Sequence, residues 1–469
     1  MFKYIVSLFI IFLSSCKVGE EYNLNSVVNY DEAAKELSIV ATKDRVSENW
    51  YTIFNDKDLN TLITTALNNN YTIKQGIERL QQSRYSYLVQ SKNYYPQVDA
   101  SADYNYNKTN NLRVPQKNTN IFQAGFDASW EIDIWGKGDY ISKQYEELMN
   151  EAQYSLANIK VSIISEIISN YISLREKQEK LRIVNKNLFL QKETLQTIKD
   201  KYNAGITDDL SLNQAKYTVE STKAIIPQLK IEIENDINSI AVLLGTTPSG
   251  LSINLNKFGR NIVSSPFKYS VSNLYKLPLN IIHTRPDVLK AEALVKEKNA
   301  LVNEAIASLY PSLSLISTFG YISSSGHSLF DTNSQNYGYT PALTLPIWHW
   351  QQLQNNVEIQ KHIREEYLSI YNETLLTAIS ELKTAIISVE QEYKRHQILL
   401  IAQSKMQNIL DLTKEKYKNG LVDFTEVTRA EQNLLQAQLD TVESQAQFLQ
   451  SFLSFYKSTG GGFNFQPCK

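Results

Sequence analysis

The chain has 469 residues, with 47 Lys and Arg against 49 Asp and Glu, a formal net charge of −2, and 42% hydrophobic residues. That balance excludes a disordered or collagen-like chain and argues against a strongly basic nucleic-acid binder. With only 16 glycines and 11 prolines over this length, long regular elements are favoured over many short turns.

The first residues read as a targeting signal. Lys3 gives a basic start, Tyr4 to Phe12 form a short apolar run, and Leu13-Ser14-Ser15-Cys16 follows. The run is too short to span a bilayer, which takes about 20 residues. Leu-Ser-Ser-Cys has the form of a bacterial lipobox, in which Cys16 is acylated and becomes the mature N-terminus. This leaves 1–15 as signal peptide and Cys468 as the one other cysteine, so no disulfide framework is possible within the chain. Cys16 to Asn49 is polar and reads as an extended tether. Trp50 to Asn70 reads as a short amphipathic helix, completing a 16–70 tether and equatorial segment.

A helix over Ile73–Asn93 then leads into alternating residues. Val98, Ala100, Ala102, Tyr104 and Tyr106 share one side; Gln97, Asp99, Ser101, Asp103 and Asn105 share the other. After a polar loop carrying Pro115 the alternation resumes, with Phe122, Ala124, Phe126, Ala128, Trp130, Ile132 and Ile134 on one face. A period of two predicts strands with one apolar and one polar face, here a strand pair within 96–135. Strands of this length suit a transmembrane barrel, apolar toward lipid and polar toward a lumen; a soluble sheet with one wet face is the alternative.

The chain is written twice. Tyr95-Pro96-Gln97-Val98 recurs 215 residues later as Tyr310-Pro311-Ser312-Leu313, and Lys201-Tyr202-Asn203-Ala204-Gly205 recurs at the same offset as Lys416-Tyr417-Lys418-Asn419-Gly420. Such self-similarity resets the fold expectation. Ile167, Leu174, Leu181, Leu188, Leu195 and Tyr202 fall seven apart, and their counterparts Leu382, Val389, His396, Gln403, Leu410 and Tyr417 keep the register. Heptads specify coiled-coil packing. Proline-free stretches Lys137–Lys201 and Gln351–Lys418 predict helices of about 65 residues, roughly 95 Å each. Gly205 and Gly420 mark their ends, and shorter helices return over Asp209–Leu244 and Phe424–Lys457. Each half, 71–244 and 286–458, thus reads helix, strand pair, long helix, turn, return helix. The second strand pair lies within 311–348, as Ser312–Ser323 and Tyr337–Trp348. Residues 245–285 join the halves and 459–469 form a tail. Tyr94, Tyr95, Trp130 and Trp135, then Tyr310, Trp348 and Trp350, gather at one end of the two pairs, as in the aromatic girdle of a membrane barrel.

Four strands cannot close a barrel, and an open edge cannot sit in lipid. Closure requires further copies: two give 8 strands and three give 12, and the polar inner faces favour the wider, water-filled barrel.

The lipobox, the repeated Tyr-Pro, Trp130-Glu-Ile-Asp-Ile-Trp-Gly-Lys137, Gly205-Ile-Thr-Asp-Asp-Leu-Ser-Leu-Asn-Gln-Ala215, Leu243-Leu-Gly-Thr-Thr-Pro248 and Thr284-Arg-Pro-Asp-Val-Leu-Lys-Ala-Glu292 resemble the outer membrane factor family, which includes TolC and the OprM-like lipoproteins. The resemblance covers nearly the whole chain. It implies an α+β membrane protein: a trimeric 12-stranded β-barrel with four strands per chain, continuing into a long α-helical coiled-coil barrel built from the tandem repeat. It further implies a non-enzymatic outer membrane exit duct, acting with a periplasmic adaptor and an inner-membrane pump to expel drugs, metals or other small molecules. The outlet of a protein-secretion system uses the same duct, and a lipid-anchored coiled-coil scaffold is the reading from a different class.

In that family the helix ends close like an iris, often with acidic rings. Here Ser211 and Arg429 stand where relatives often carry Asp, while Asp208, Asp209, Asp423 and Glu426 remain acidic. These six residues are the candidate periplasmic gate, with Arg429 paired to Glu426 or to a neighbouring hairpin. Capping and solvation of helix ends explain them equally well. The tips at Gly205 and Gly420 are the expected adaptor contact. No cofactor is expected beyond the lipid on Cys16: the five histidines share no metal-ligand spacing, and no phosphate loop or nucleophile elbow occurs.

Overall fold

The computed structural model describes residues 17–24, 40–41, 49–111, 114–256, 276–277 and 281–462; Cys16 and Cys468 lie outside them. Among the described residues no helix is long and apolar enough to cross a membrane. In chain order the elements are β1 (Val40–Ala41), α1 (Lys57–Asn69), α2 (Tyr71–Gln90), β2 (Gln97–Asn111), β3 (Val114–Ile132), α3 (Lys137–Asn203), α4 (Asp209–Leu243), β4 (Lys276–Leu277), α5 (Pro286–Ala307), β5 (Ser312–Ser323), β6 (Gln335–Thr344), α6 (Trp350–Lys418) and α7 (Phe424–Ser458). They gather into two compact units. One draws on Met1–Ser26, Glu78–Gln153 and Lys290–Asn372; the other on Val27–Ile77, Tyr154–Leu289 and Glu373–Lys469.

The first unit holds the four long strands. β2, β3, β5 and β6 form one antiparallel sheet in that order, so the two repeats meet where β3 pairs with β5. The register keeps like faces together. Ala100 lies opposite Phe126, Phe126 opposite Phe319, and Phe319 opposite Tyr337, a continuous apolar row across four strands. One residue along, Ser101, Gly125, Gly320 and Asn336 form a polar row. A slip of one residue would exchange the faces, so the alternation along each strand specifies the pairing.

The strands depart from expectation at two ends. Pro115 does not sit in a loop: β3 begins at Val114, and Pro115 falls beside the pairing irregularity between Thr109 and Asn111, a place where a missing backbone donor is tolerated. In the second pair β6 runs Gln335–Thr344 rather than to Trp348, stopping just before Pro346.

The N-terminal segment is not a free tether over its described residues. The Val18 amide donates to the Trp135 carbonyl (3.2 Å), and Lys17 pairs with Asp139. The Glu20 amide donates to Asn303 Oδ1 (2.8 Å), its carboxylate meets Lys361 (3.0 Å), and the Arg364 guanidinium stacks on the Tyr22 ring at 4.1 Å. A Cβ at Gly19 would meet Asn303 Oδ1 at 2.8 Å and crowd the Tyr140 hydroxyl, so a larger residue there would push both side chains aside. A polar strap thus ties the start of α3 to α5 and α6.

The second unit is helical. The heptad positions of α3 are its core: Ile167 and Leu174 are fully buried, and Leu181 and Leu188 nearly so. In α6, Leu382, Val389, His396 and Leu410 are buried in the same register. Each buried aliphatic side chain contributes about 1.5–3 kcal/mol, which supplies the stability that helix propensity alone would not. The 50–70 stretch is broken, not one helix. A short 3₁₀ turn, Trp50–Phe54, ends at Asn55 (φ +49°), and Asp56 Oδ1 caps α1 through the Asp58 and Leu59 amides. Trp50 stacks on Tyr456 of α7 at 5.3 Å. β1 and β4 form a separate two-residue parallel pair.

Candidate functional site

Two places can govern passage: the sheet wall and the helical tips. On the sheet's apolar face, Val98, Tyr104, Phe126, Phe319, Tyr337 and Tyr339 are all more than half exposed within the single chain. Large apolar groups left uncovered across a contiguous face mark a surface meant for lipid. The predicted aromatic end is built as follows. Trp130 Nε1 donates to the Tyr94 carbonyl (2.8 Å), Trp135 Nε1 to the Pro311 carbonyl (2.7 Å), and the Trp135 and Tyr310 rings lie 5.0 Å apart. The Tyr94 ring covers Gly138, leaving no room for a Cβ. Tyr95, Trp348 and Trp350 join none of these contacts and stand exposed.

A second aromatic group closes the opposite end. Tyr104 meets Phe122 at 4.7 Å and Tyr321 meets Phe330 at 5.4 Å. From Trp130 to Phe122 along β3 is about 26 Å of strand, which at a tilt of about 40° spans roughly 20 Å of the ~25 Å apolar band of an outer-membrane barrel. Sequence reasoning picked out only the first of these two aromatic groups. The signal for the second was present in the tyrosines of the alternation, but pairing register was needed to align them.

The polar face carries Asp99, Asp103, Asp127 and Glu131 on β2 and β3. Asp99 lies directly opposite Asp127, and Ser101 Oγ donates to Asp127 Oδ2 (3.0 Å). Like charges at opposed positions are unfavourable unless water or a donor relieves them. Beside them Gly125 faces Gly320 so closely that a Cβ on Gly320 would stand 2.5 Å from the Ala124 carbonyl oxygen.

The tips are near-copies. Gly205 (φ +69°) and Gly420 (φ +68°) end the long helices. Ile206 N donates to the Lys201 carbonyl (2.8 Å) and Leu421 N to the Lys416 carbonyl (2.9 Å), the closure that a left-handed glycine permits. Nothing lies within 4 Å of either glycine's would-be Cβ, so both tips are open to a partner.

Behind them the six candidate gate residues divide. Asp208 Oδ1 accepts the Ser211 amide (2.9 Å), capping α4, and the Ser211 hydrogen bonds hold its carboxyl below the usual range. Asp209 accepts from the Tyr202 hydroxyl, which holds that hydroxyl's proton more tightly than usual. Asp423 occupies the N-cap position of α7 without a side-chain cap bond. Glu426 and Arg429 pair at 2.8 Å one turn apart, both well exposed. Between the hairpins, Ile198, Leu212, Ala215, Phe424 and Val427 form an apolar cluster flanked by Leu195 and Tyr417. The Gln214 amide and the Thr425 hydroxyl bond across it (3.1 Å), and Lys201 Nζ lies 4.8 Å over the Tyr417 ring. Among the described residues no group of His, Cys, Asp or Glu is arranged to hold a metal ion.

A four-stranded open sheet with an apolar outer face, joined to two pairs of very long helices by a tandem repeat, defines a TolC-like outer membrane channel protomer. The family model for the outer membrane efflux proteins matches residues 62–246 and again 277–461, one match per repeat, and the chain belongs to that family. It is similar to the cation efflux system protein CusC of Escherichia coli O6:H1, at 23% identity over 459 residues and 96% of each chain. It is similar also to the probable efflux pump outer membrane protein TtgC of Pseudomonas putida, at 24% identity over 89% of this chain and 85% of that one. In fold it resembles the Campylobacter jejuni CmeC outer membrane channel, with a TM-score of 0.85, 23% identity, and 96% and 95% of the two chains covered. The channel OprN gives a TM-score of 0.84, 23% identity, and 95% and 99% covered. The protein is therefore an outer membrane efflux channel, a transport protein with no catalytic function.

Proposed function

We propose that three copies of this chain, each anchored through lipid on Cys16, form the exit duct of a tripartite efflux system. The duct passes small molecules from an inner-membrane pump and periplasmic adaptor to the exterior. The sheet edges carry this reading. Among the described residues β2 and β6 are each paired on one side only, and bare edges in lipid cost several kcal/mol per backbone group. Joining β6 of one copy to β2 of the next abolishes both, and three copies make 12 strands with a water-filled interior. Lipid on Cys16 fits the docked strap, since Lys17 and Val18 are held at Asp139 and Trp135 beside the aromatic end. A homologue from Salmonella typhimurium is named a probable outer membrane lipoprotein. The aromatic residues Tyr94, Tyr95, Trp130, Trp135, Tyr310, Trp348 and Trp350 form the inner membrane-boundary girdle of the barrel.

At the far end, Asp208, Asp209, Ser211, Asp423, Glu426 and Arg429 form the gate, with charge setting which ions pass, and the Gly205 and Gly420 tips receive the adaptor. Purified Cys16→Ser protein runs as a detergent-requiring, heat-modifiable trimer if the barrel closes as described; a monomer extractable without detergent overturns it. Single-channel recording of Arg429→Asp and Glu426→Ala tests the gate: ion selectivity or conductance shifts in at least one, and no change in either removes these residues from it.

A further inference from the structure

At the foot of the sheet the chain leaves a cavity of about 350 Å³, lined by Tyr94, Trp135, Tyr310, Pro346 and Leu353. That volume admits a small organic molecule, and an apolar lining with a few polar groups is the usual form of a ligand site. Glu131, Ser312 and Thr344 line it as well. Glu131 lies opposite Ser314, two residues along β5 from Ser312, and Ser312 lies opposite Thr344. All three therefore share the polar face of the sheet. The cavity opens toward the inside of the barrel, although its rings also belong to the aromatic end.

Its charge is out of balance. Asp133 lines the cavity with Glu131, and the charges of Asp133, Glu304 and Glu131 all bear on the Tyr94 hydroxyl. Asp133 Oδ2 accepts the Gly138 and Asp139 amides (3.0 and 3.3 Å), which fixes that carboxylate at the start of α3. Burial raises the Glu304 carboxyl above its usual range against the pull of Lys137, as for a carboxylate short of counter-charge. Lys137 and His349 are the basic residues of the lining, so even with both charged one negative charge is left over. The fold does not require these acids. Trp130–Trp135 recurs 213 residues on as Leu343–Trp348, which puts Thr344 and Pro346 where Glu131 and Asp133 stand.

We propose that this cavity binds, from the barrel interior, an organic ammonium ion carrying an apolar body. The ammonium sits against Glu131 and Asp133 among the aromatic rings, where cation–π attraction adds to the ion pair. The apolar body packs on Pro346 and Leu353. This rests on the polar face lining the duct, and it names a class of cargo that the duct wall favours. A metal ion fits less well. Among the described residues no group of His, Cys, Asp or Glu is arranged to hold one, and aromatic walls supply no metal ligands. An anion would meet the surplus of carboxylates.

The test titrates the purified full-length protein with benzyltrimethylammonium by isothermal calorimetry, with phenylmethanesulfonate as the anionic probe of similar shape. The cation is expected to bind and the anion not. Glu131→Gln and Tyr310→Leu are each expected to weaken cation binding about tenfold while assembly is unchanged. Thr344→Glu adds a carboxylate to the same lining and is expected to tighten binding about threefold, a gain that misfolding cannot imitate. Equal affinity for the two probes overturns the inference, because the apolar lining alone would then be binding them. So does cation affinity that neither Glu131→Gln nor Thr344→Glu alters. Calorimetry needs no conduction, so the two readings fail separately. A cation that binds to a protein forming no channel in planar bilayers removes the duct and leaves the site; a channel whose wall binds no cation does the reverse.

Discussion

Asn70 Nδ2 donates to the carbonyl of Leu243 at 2.7 Å, and the two residues lie 173 positions apart. The same joint is made again 215 residues later, where Arg285 Nη1 donates to the carbonyl of Ser458 at 3.0 Å, also 173 apart. In each half the residue before the strand-bound helix closes the end of the return helix. Asn70 also accepts from the Thr72 and Ile73 amides (2.8 and 3.0 Å), so one buried side chain caps the start of α2 and the end of α4. Arg285 instead meets Asp287 (2.6 Å) and Glu381 (2.7 Å).

Removing either joint leaves a helix-end carbonyl without its partner. Asn70→Ala is expected to cost about 1–2 kcal/mol, the scale of a lost cap. Arg285→Ala should cost about 2–3 kcal/mol, since it removes the charged hydrogen bond to the Ser458 carbonyl, while Asp287 and Glu381 are partly exposed and lose less. Arg285→Lys recovers only part, lacking the planar fork that reaches both carboxylates and the carbonyl. Thermal unfolding of the purified variants gives the order wild type, Asn70→Ala, Arg285→Ala; an Arg285→Ala as stable as wild type contradicts it.

In the sheet, Gly320→Val should abolish the heat-modifiable assembled form. Its Cβ would stand 2.5 Å from the Ala124 carbonyl and 2.7 Å from Gly125 Cα, both backbone atoms that cannot move aside. Gly338→Ala should leave assembly intact, because its Cβ meets only Thr318 Oγ1 at 3.5 Å. Electrophoresis with and without heating reads both.

For the strap, Glu20→Lys is expected to release it while changing thermal stability by no more than about 1 kcal/mol, since its ion pairs are partly exposed. Limited tryptic digestion should then cut after Lys17 about tenfold faster, because cleavage follows the population of the open strap. Glu20→Lys/Lys361→Glu should restore part of the protection. Equal rates of that cut in wild type and variant would show that the strap is held without Glu20.

His396 gives an acid-side signature. Its Nδ1 lies 2.9 Å from Ser444 Oγ in the α6–α7 seam, and burial holds its imidazole below the ordinary value of 6.5. Above pH 6.5 it is neutral whether folded or unfolded. As pH falls below 6.5 the unfolded chain takes up the proton first, so stability drops until the folded histidine also titrates. His396→Gln should flatten this part of the stability profile below about pH 6.5. An unchanged acid limb excludes His396 as its source.

The long helices were legible because Ile167, Leu174 and Leu181 repeat every seven residues, and the tips because Gly205 and Gly420 end copies of one motif. What escaped was set by pairing rather than period. Asn107 to Asn111 and Val114 to Asn120 show no apolar alternation, yet the ladder continues through them. Asn70 and Arg285 act across 173 residues, which no local pattern records. The cavity gathers Tyr94, Trp135, Tyr310 and Leu353 from four separate stretches, each of which reads alone as a girdle or helix residue.

In the proposed ring, two copies joined β6 to β2 would still end in one bare β6 and one bare β2, as a single copy does. Adding a chain therefore removes no sticky end until the ring shuts. Partial assemblies are as adhesive as the starting chain, so closure is an all-or-none event. Any unassembled chain must be kept scarce or sheltered before it reaches the membrane.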